Sequence, residues 1–234
     1  MALSKIYTAQ RFYSDSLLDV VGEFGVASDQ VKVLNLERFD LINRRAIDVV
    51  VGEFYSILAK DYFRPQEIEI SQDGDPAMID IEDLPMMKVG QSLKIELQSS
   101  VTGLARPVSF QQMQTFNPNS VMEQNRIIYH YAGNKLYLRS GVNLTGTDRF
   151  GDLTIWFPSI PDDVAADDDP IDVPDGPAME VAIIRMKILL ADRLGSPKLE
   201  MYKEDLPVLI QELFQNYGIT ATKEKVAQKT KALS

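Results

Sequence analysis

Apolar residues recur at helical spacing near both ends of this chain and at every second position through its middle. Leu17, Leu18, Val20, Val21 and Phe24 predict a first helix, with Ser14 or Asp15 as its cap and Gly25 as its stop. A longer helix is predicted from Leu36 or Phe39 to residue 62, carrying Ile42, Ala46, Ile47, Val49, Val50, Phe54, Ile57 and Leu58 and ending before Pro65. Gly52 inside it costs ~1 kcal/mol against alanine, so close helix packing is expected there. Between Pro65 and Pro158 the period falls to two. Residues 67–70, 78–81 and 93–97 alternate apolar with polar as half-buried strands do, and Gly133-Asn134 sits between two aromatic-rich strands as a hairpin turn within residues 126–139. A final strand at residues 153–157 carries the single tryptophan, Trp156, and the Trp156-Phe157 pair is expected in the core.

Helical spacing then returns. Pro177 is placed to open a long helix, Gly195 and Pro197 to close it, and residues 200–216 predict another, with Pro207 marking a start or a kink. The order of helices, strands and helices makes this an α+β chain. No internal repeat and no long low-complexity segment interrupts it.

The junction at residues 153–195 is the most informative stretch. Seven aspartates lie between Asp162 and Asp175, interleaved with prolines at 158, 161, 170, 174 and 177, which forbids a helix interior or a central strand and sends the segment over a surface. The helix that follows is apolar around most of its circumference, at Ala178, Val181, Ala182, Ile184, Met186, Ile188, Leu189 and Leu190. It must be covered on more than one side.

Composition removes several kinds of chemistry. The 234 residues contain no cysteine, which excludes disulfides, thiolate metal sites and a cysteine nucleophile. His130 is the only histidine, so no site can use two imidazoles, and its place between Tyr129 and Tyr131 favours a surface or sheet-packed role. A net charge of −10 disfavours capture of nucleic-acid phosphates. No run reaches the roughly 18 apolar residues of a membrane span, and the N-terminus lacks a charged start followed by an apolar block, so the chain reads as cytoplasmic in origin. Nucleophile-elbow, phosphate-loop, zinc-helix and dinucleotide-glycine motifs are all missing. Asp80, Glu82 and Asp83 followed by Lys88, or Asp167, Asp168 and Asp169, supply oxygens suited to a hard cation but not the spacing of a calcium loop; a solvated acidic loop is the expected role of both clusters. No cofactor is expected.

The end of the chain departs from the acidic body. After Gly218, Lys223, Lys225, Lys229 and Lys231 face Glu224 alone, with Val226, Ala227 and Leu233 scattered among them. Such a segment is either a disordered terminus or a docking peptide that orders on a partner.

The early helix, the long helix containing RRAIDVVVGEFYSIL, the β-rich middle, and then IWFPSIPDDVAADDDPIDVPDGPAMEVAIIRMKILLADR together resemble the head-to-tail connector (adaptor, ring or neck) proteins of tailed bacteriophages. The layout matches over about two-thirds of the chain, the residue pattern only over 156–193. The β region is larger than in the simplest members of that family. The resemblance implies a helical bundle of N- and C-terminal helices, residues 1–64 and 159–217, around an antiparallel β-rich insertion, residues 65–158. From its own polarity and charge rather than from the resemblance, the segment 218–234 is expected to be a flexible basic docking tail, with Lys223, Lys225, Val226, Lys229, Lys231 and Leu233 as its partner-binding residues. The resemblance also implies a homo-oligomeric ring, a dodecamer, set between portal and tail proteins in the virion and assembled in the host cytoplasm. Genomic DNA would pass through without specific binding, and no membrane or catalysis is involved. Another tail- or capsid-associated virion protein, or a metal-dependent enzyme using Asp80, Glu82 and Asp83, are the competing expectations.

Overall fold

The computed structural model describes residues 7–22, 28–86 and 95–234. The chain is α+β and divides into two compact units, one of Met1–Ala59 with Pro161–Ser234 and one of Lys60–Ile160. The β-rich unit is thus inserted into a helical one, and residues 218–234 belong to the helical unit rather than forming a tail of their own.

The helical unit opens with α1 (Ala9–Val21), which starts earlier than Ser14 or Asp15 because Thr8 is its cap, accepting from the Arg11 N–H at 3.3 Å. Gly22 ends it with φ at 47°, ahead of the expected Gly25, which lies with Phe24 outside the described residues. The expected long helix is a succession: α2 (Ser28–Leu36), α3 (Arg38–Asp40), a π-helical segment Leu41–Ile47, α4 (Asp48–Leu58) and a 3₁₀ turn Ala59–Tyr62. Leu41 and Ala46, like Ile42 and Ile47, are buried pairs five residues apart, the spacing that a π turn superimposes on one face. Gly52 is not explained by close packing: it is exposed, and among the described residues an added Cβ would meet nothing within 4 Å.

After the inserted unit come α6 (Pro177–Leu194), α7 (Leu199–Asn216) and α8 (Lys223–Leu233). Pro177 occupies the first turn of α6 and Gly195 closes it in the left-handed conformation, φ 63°. α6 buries Ala178, Met179, Val181, Ala182, Ile184, Met186, Ile188, Leu190 and Ala191 against α1, the π segment, α4 and α7. Each large side chain so removed from water contributes about 1.5–3 kcal/mol. α7 answers with Tyr202, Leu206, Ile210, Leu213 and Phe214, spaced along one face, and Phe214 meets Phe54 edge-on at 5.9 Å.

The inserted unit holds two four-stranded sheets around one core. One runs β1 (Phe63–Ile68), β8 (Leu153–Pro158), β3 (Glu96–Ser99), β4 (Gly103–Leu104); the other runs β2 (Ala77–Asp80), β7 (Lys135–Ser140), β6 (Ile127–Ala132), β5 (Arg106–Pro107). A short helix, α5 (Phe110–Thr115), follows β5 with a full capping box at Ser109 and Gln112. All pairings are antiparallel except β5 with β6, a two-residue parallel contact the alternation did not foretell. Pro65 lies within β1, at the edge of its sheet, the place where a strand tolerates a residue without an N–H. The β6–β7 hairpin turns on Gly133 and Asn134, with φ at 57° and 62°, as a type I′ turn requires. Leu153, Ile155 and Phe157 point inward, whereas Trp156 stands on the opposite face and is half-buried, so the expected core pair divides between faces. Of residues 93–97, Leu93 and Lys94 lie outside the described residues.

Candidate functional site

Two surfaces of the helical unit gather the chain's unusual charges. The first is the acidic segment between β8 and α6, which is anchored as well as exposed. Val164 is buried and both its backbone groups are held by Asn43: the amide donates to Oδ1 at 3.0 Å, and Nδ2 donates to the carbonyl at 2.9 Å. The π segment places Asn43 for this. Arg38 holds Asp167 through two hydrogen bonds, at 2.9 and 3.3 Å. The Ala9 and Gln10 amides, orphan donors of the first turn of α1, give their protons to the Asp169 and Asp167 carbonyls. Asp169 folds back to accept from the Ala165 and Ala166 amides at 2.7 and 2.8 Å, which holds its carboxyl below the usual range. The result is a shaped tip, Ala165-Ala166, with Asp163 and Asp168 exposed beside it.

The second surface is the C-terminal segment, and it corrects the expectation of a flexible docking tail. Thr222 caps α8 by accepting from the Lys225 amide at 3.3 Å, and the helix packs on α7 and α4. Leu233 is fully buried. Lys229 Nζ lies 2.8 Å from the Glu53 carboxylate and 5.6 Å from the Phe54 ring centre. Arg185, one of two cations in the apolar run of α6, donates to the Leu233 carbonyl and, at 3.2 Å, to that of Ser234. Its burial draws its pKa down. The physical reason for the correction is that one apolar side chain and one lysine of the segment find their partners within the same chain, on helices that are themselves well packed.

The six residues expected to bind a partner therefore separate. Lys229 and Leu233 face the body of their own unit. Lys223, Val226 and Lys231 line an outward groove of about 690 Å³ between α7 and α8, together with Pro207, Gln211 and Ala227. Lys225 is exposed but lies outside that groove. Sequence reasoning missed Glu53, Arg185 and Pro207 as parts of this arrangement. An arginine flanked by Ile184 and Met186 in a largely apolar stretch of α6 was the available signal, since such a cation requires an acceptor.

The other candidates stay with local structure. Asp80 accepts from the Glu82 amide at 3.0 Å within a turn, and among the described residues no three histidine or acidic side chains converge to hold a metal ion. His130 is half-buried, its Nδ1 3.0 Å from the Val108 carbonyl and its ring 5.8 Å from that of Phe110. Among the described residues no helix is long and apolar enough to cross a membrane. No family model matches the chain, and no curated protein matches it.

Proposed function

We propose that this chain is a virion structural protein that forms a ring in the neck of a tailed bacteriophage, between portal and tail, around the path of the genomic DNA. The observation that carries this reading is the form taken by residues 156–193. A strand leads through a proline-broken acidic segment, tied to α1 and the π segment, into a central helix buried nearly all round. This is the layout on which the resemblance to connector proteins rests. Two further features support it. Leu18, Val33 and Leu36 on α1 and α2 remain exposed, Leu36 by 85 %, and a neighbouring subunit would cover them. A net charge of −10 suits a duct that must let phosphates pass without holding them.

The test is immunogold electron microscopy of purified virions, with an antibody against the chain. Label confined to the neck, between head and tail, is the expected result. Label on the capsid shell or the distal tail, or virions without label, would overturn the proposal. Mass photometry of the purified chain with the portal of the same virus should show complexes larger than either alone.

A further inference from the structure

The α7–α8 groove carries a charge opposite to that of the rest of the molecule. Among its lining residues are two lysines, Lys223 and Lys231, and no carboxylate side chain, in a chain with ten more acidic than basic groups. Among the described residues neither lysine has an ion-pair partner, in contrast to Lys229 with Glu53. Its floor is apolar, supplied by Pro207, Val226 and Ala227. The groove is also held in shape: Arg185 and Leu233 fix one end of α8, and the Thr222 cap fixes the other.

The complementary feature exists on the same unit but on other elements. The Ala165-Ala166 tip, with Asp163 and Asp168 at its sides, is hydrogen-bonded on to α1 and the π segment, whereas α8 packs on α7 and α4. No residue of the tip lines the groove of its own chain, while a second copy presents an identical groove. In chemistry the two match: two methyl side chains complement an apolar floor, and two carboxylates complement two lysines.

We infer that the α7–α8 groove receives the Ala165-Ala166 acidic tip of a second copy of this chain. A patch that meets a different patch on its neighbour gives a head-to-tail contact, which closes into a ring where the rotation permits. The inference rests on the ring proposed above and names its subunit contact. Charge pairs at a partly exposed interface set register and association rate and are weakened by salt.

The experiment is a charge exchange on the full chain. Self-association is followed by sedimentation velocity and mass photometry at low and high salt, for wild type, for the Lys223→Glu/Lys231→Glu variant and for the Asp163→Lys/Asp168→Lys variant. These four side chains are exposed, so circular dichroism should report unaltered folding in both variants. Wild type should associate at low salt and lose assembly at high salt. Each variant alone should associate more weakly by about tenfold, and an equimolar mixture of the two should recover it, because their altered surfaces again match. Three results would overturn the inference: wild type that stays monomeric at low salt, variants that associate as wild type does, or a mixture no better than its components. If the virions carry label at the neck and these variants assemble normally, the groove contact alone is wrong. If label lies elsewhere while the mixture recovers association, the neck assignment alone is wrong.

Discussion

Lys229 places its Nζ 2.8 Å from the Glu53 carboxylate across 176 residues of sequence, and the same ammonium lies 5.6 Å from the ring centre of Phe54. The pair fastens α8 to α4, directly above the Phe54–Phe214 contact of the helical core. Basic character at this end of the chain therefore has two uses. One lysine is consumed in folding, and others are left facing outward.

The C-terminal helix should contribute to stability. Leu233→Ala removes a fully buried side chain and should cost about 2–4 kcal/mol, whereas Lys229→Met removes a partly exposed pair and should cost only about 0.5 kcal/mol. Urea unfolding followed by circular dichroism measures both. A Leu233→Ala protein as stable as wild type would mean that α8 is not docked.

Much of the architecture was legible because its signals are local. The Gly133-Asn134 turn needs two positive φ angles, Pro177 and Gly195 delimit α6, and the alternation around Ile155 survives as burial of every second side chain. The C-terminal segment was misread for the opposite reason. Composition reports that Lys229, Val226 and Leu233 cannot build a core alone, but it is silent on whether Glu53 and Arg185, distant in sequence, will receive them. The π segment was hidden likewise: buried residues five apart look like an imperfect helical stripe until Asn43 is seen to need its orientation toward Val164. Thr8 was passed over as a cap because Ser14 and Asp15 lie closer to the strongest apolar run.

Gly52→Ala should stabilise the protein. The glycine is exposed within α4, its φ is not in the left-handed region, and a methyl group would meet nothing among the described residues. The substitution lowers the entropy of the unfolded chain and should add about 0.5–1 kcal/mol, seen as a higher melting temperature. A lower melting temperature would show that this face is covered after all.

Asn43 should matter more than any exposed aspartate of the segment it holds. Asn43→Ala leaves the amide and carbonyl of the buried Val164 without their partners and should cost about 2 kcal/mol, while Asp168→Ala should cost under ~0.5 kcal/mol. Hydrogen exchange gives the sharper reading. The Val164 amide should exchange faster in Asn43→Ala and unchanged in Asp168→Ala; equal protection in both would remove the anchoring role.

The junction of α1, α6 and α7 should impose a pH dependence of known sign. Asp19 accepts from Lys187 with Nζ at 2.6 Å, Lys198 stands 3.6 Å away, and the buried Tyr202 hydroxyl, its pKa pushed up to about 12 by burial and then by the Asp19 charge, lies beside them. The hydrogen bond from Lys187 leads in holding the Asp19 carboxyl below its ordinary 3.8, outweighing its partial desolvation. A carboxyl depressed in the folded state stabilises fully above its unfolded value. That contribution is lost as pH falls through the folded value, because the unfolded chain takes up the proton first. Since the Asp19 side chain is 40 % exposed, the gain at neutral pH is under ~1 kcal/mol. Asp19→Asn should accordingly be slightly less stable than wild type from pH 5 to 8 and converge with it in acid below the carboxylate range. A stability gap between the two proteins that stayed constant through that acid range would show that Asp19 acts by shape rather than by charge.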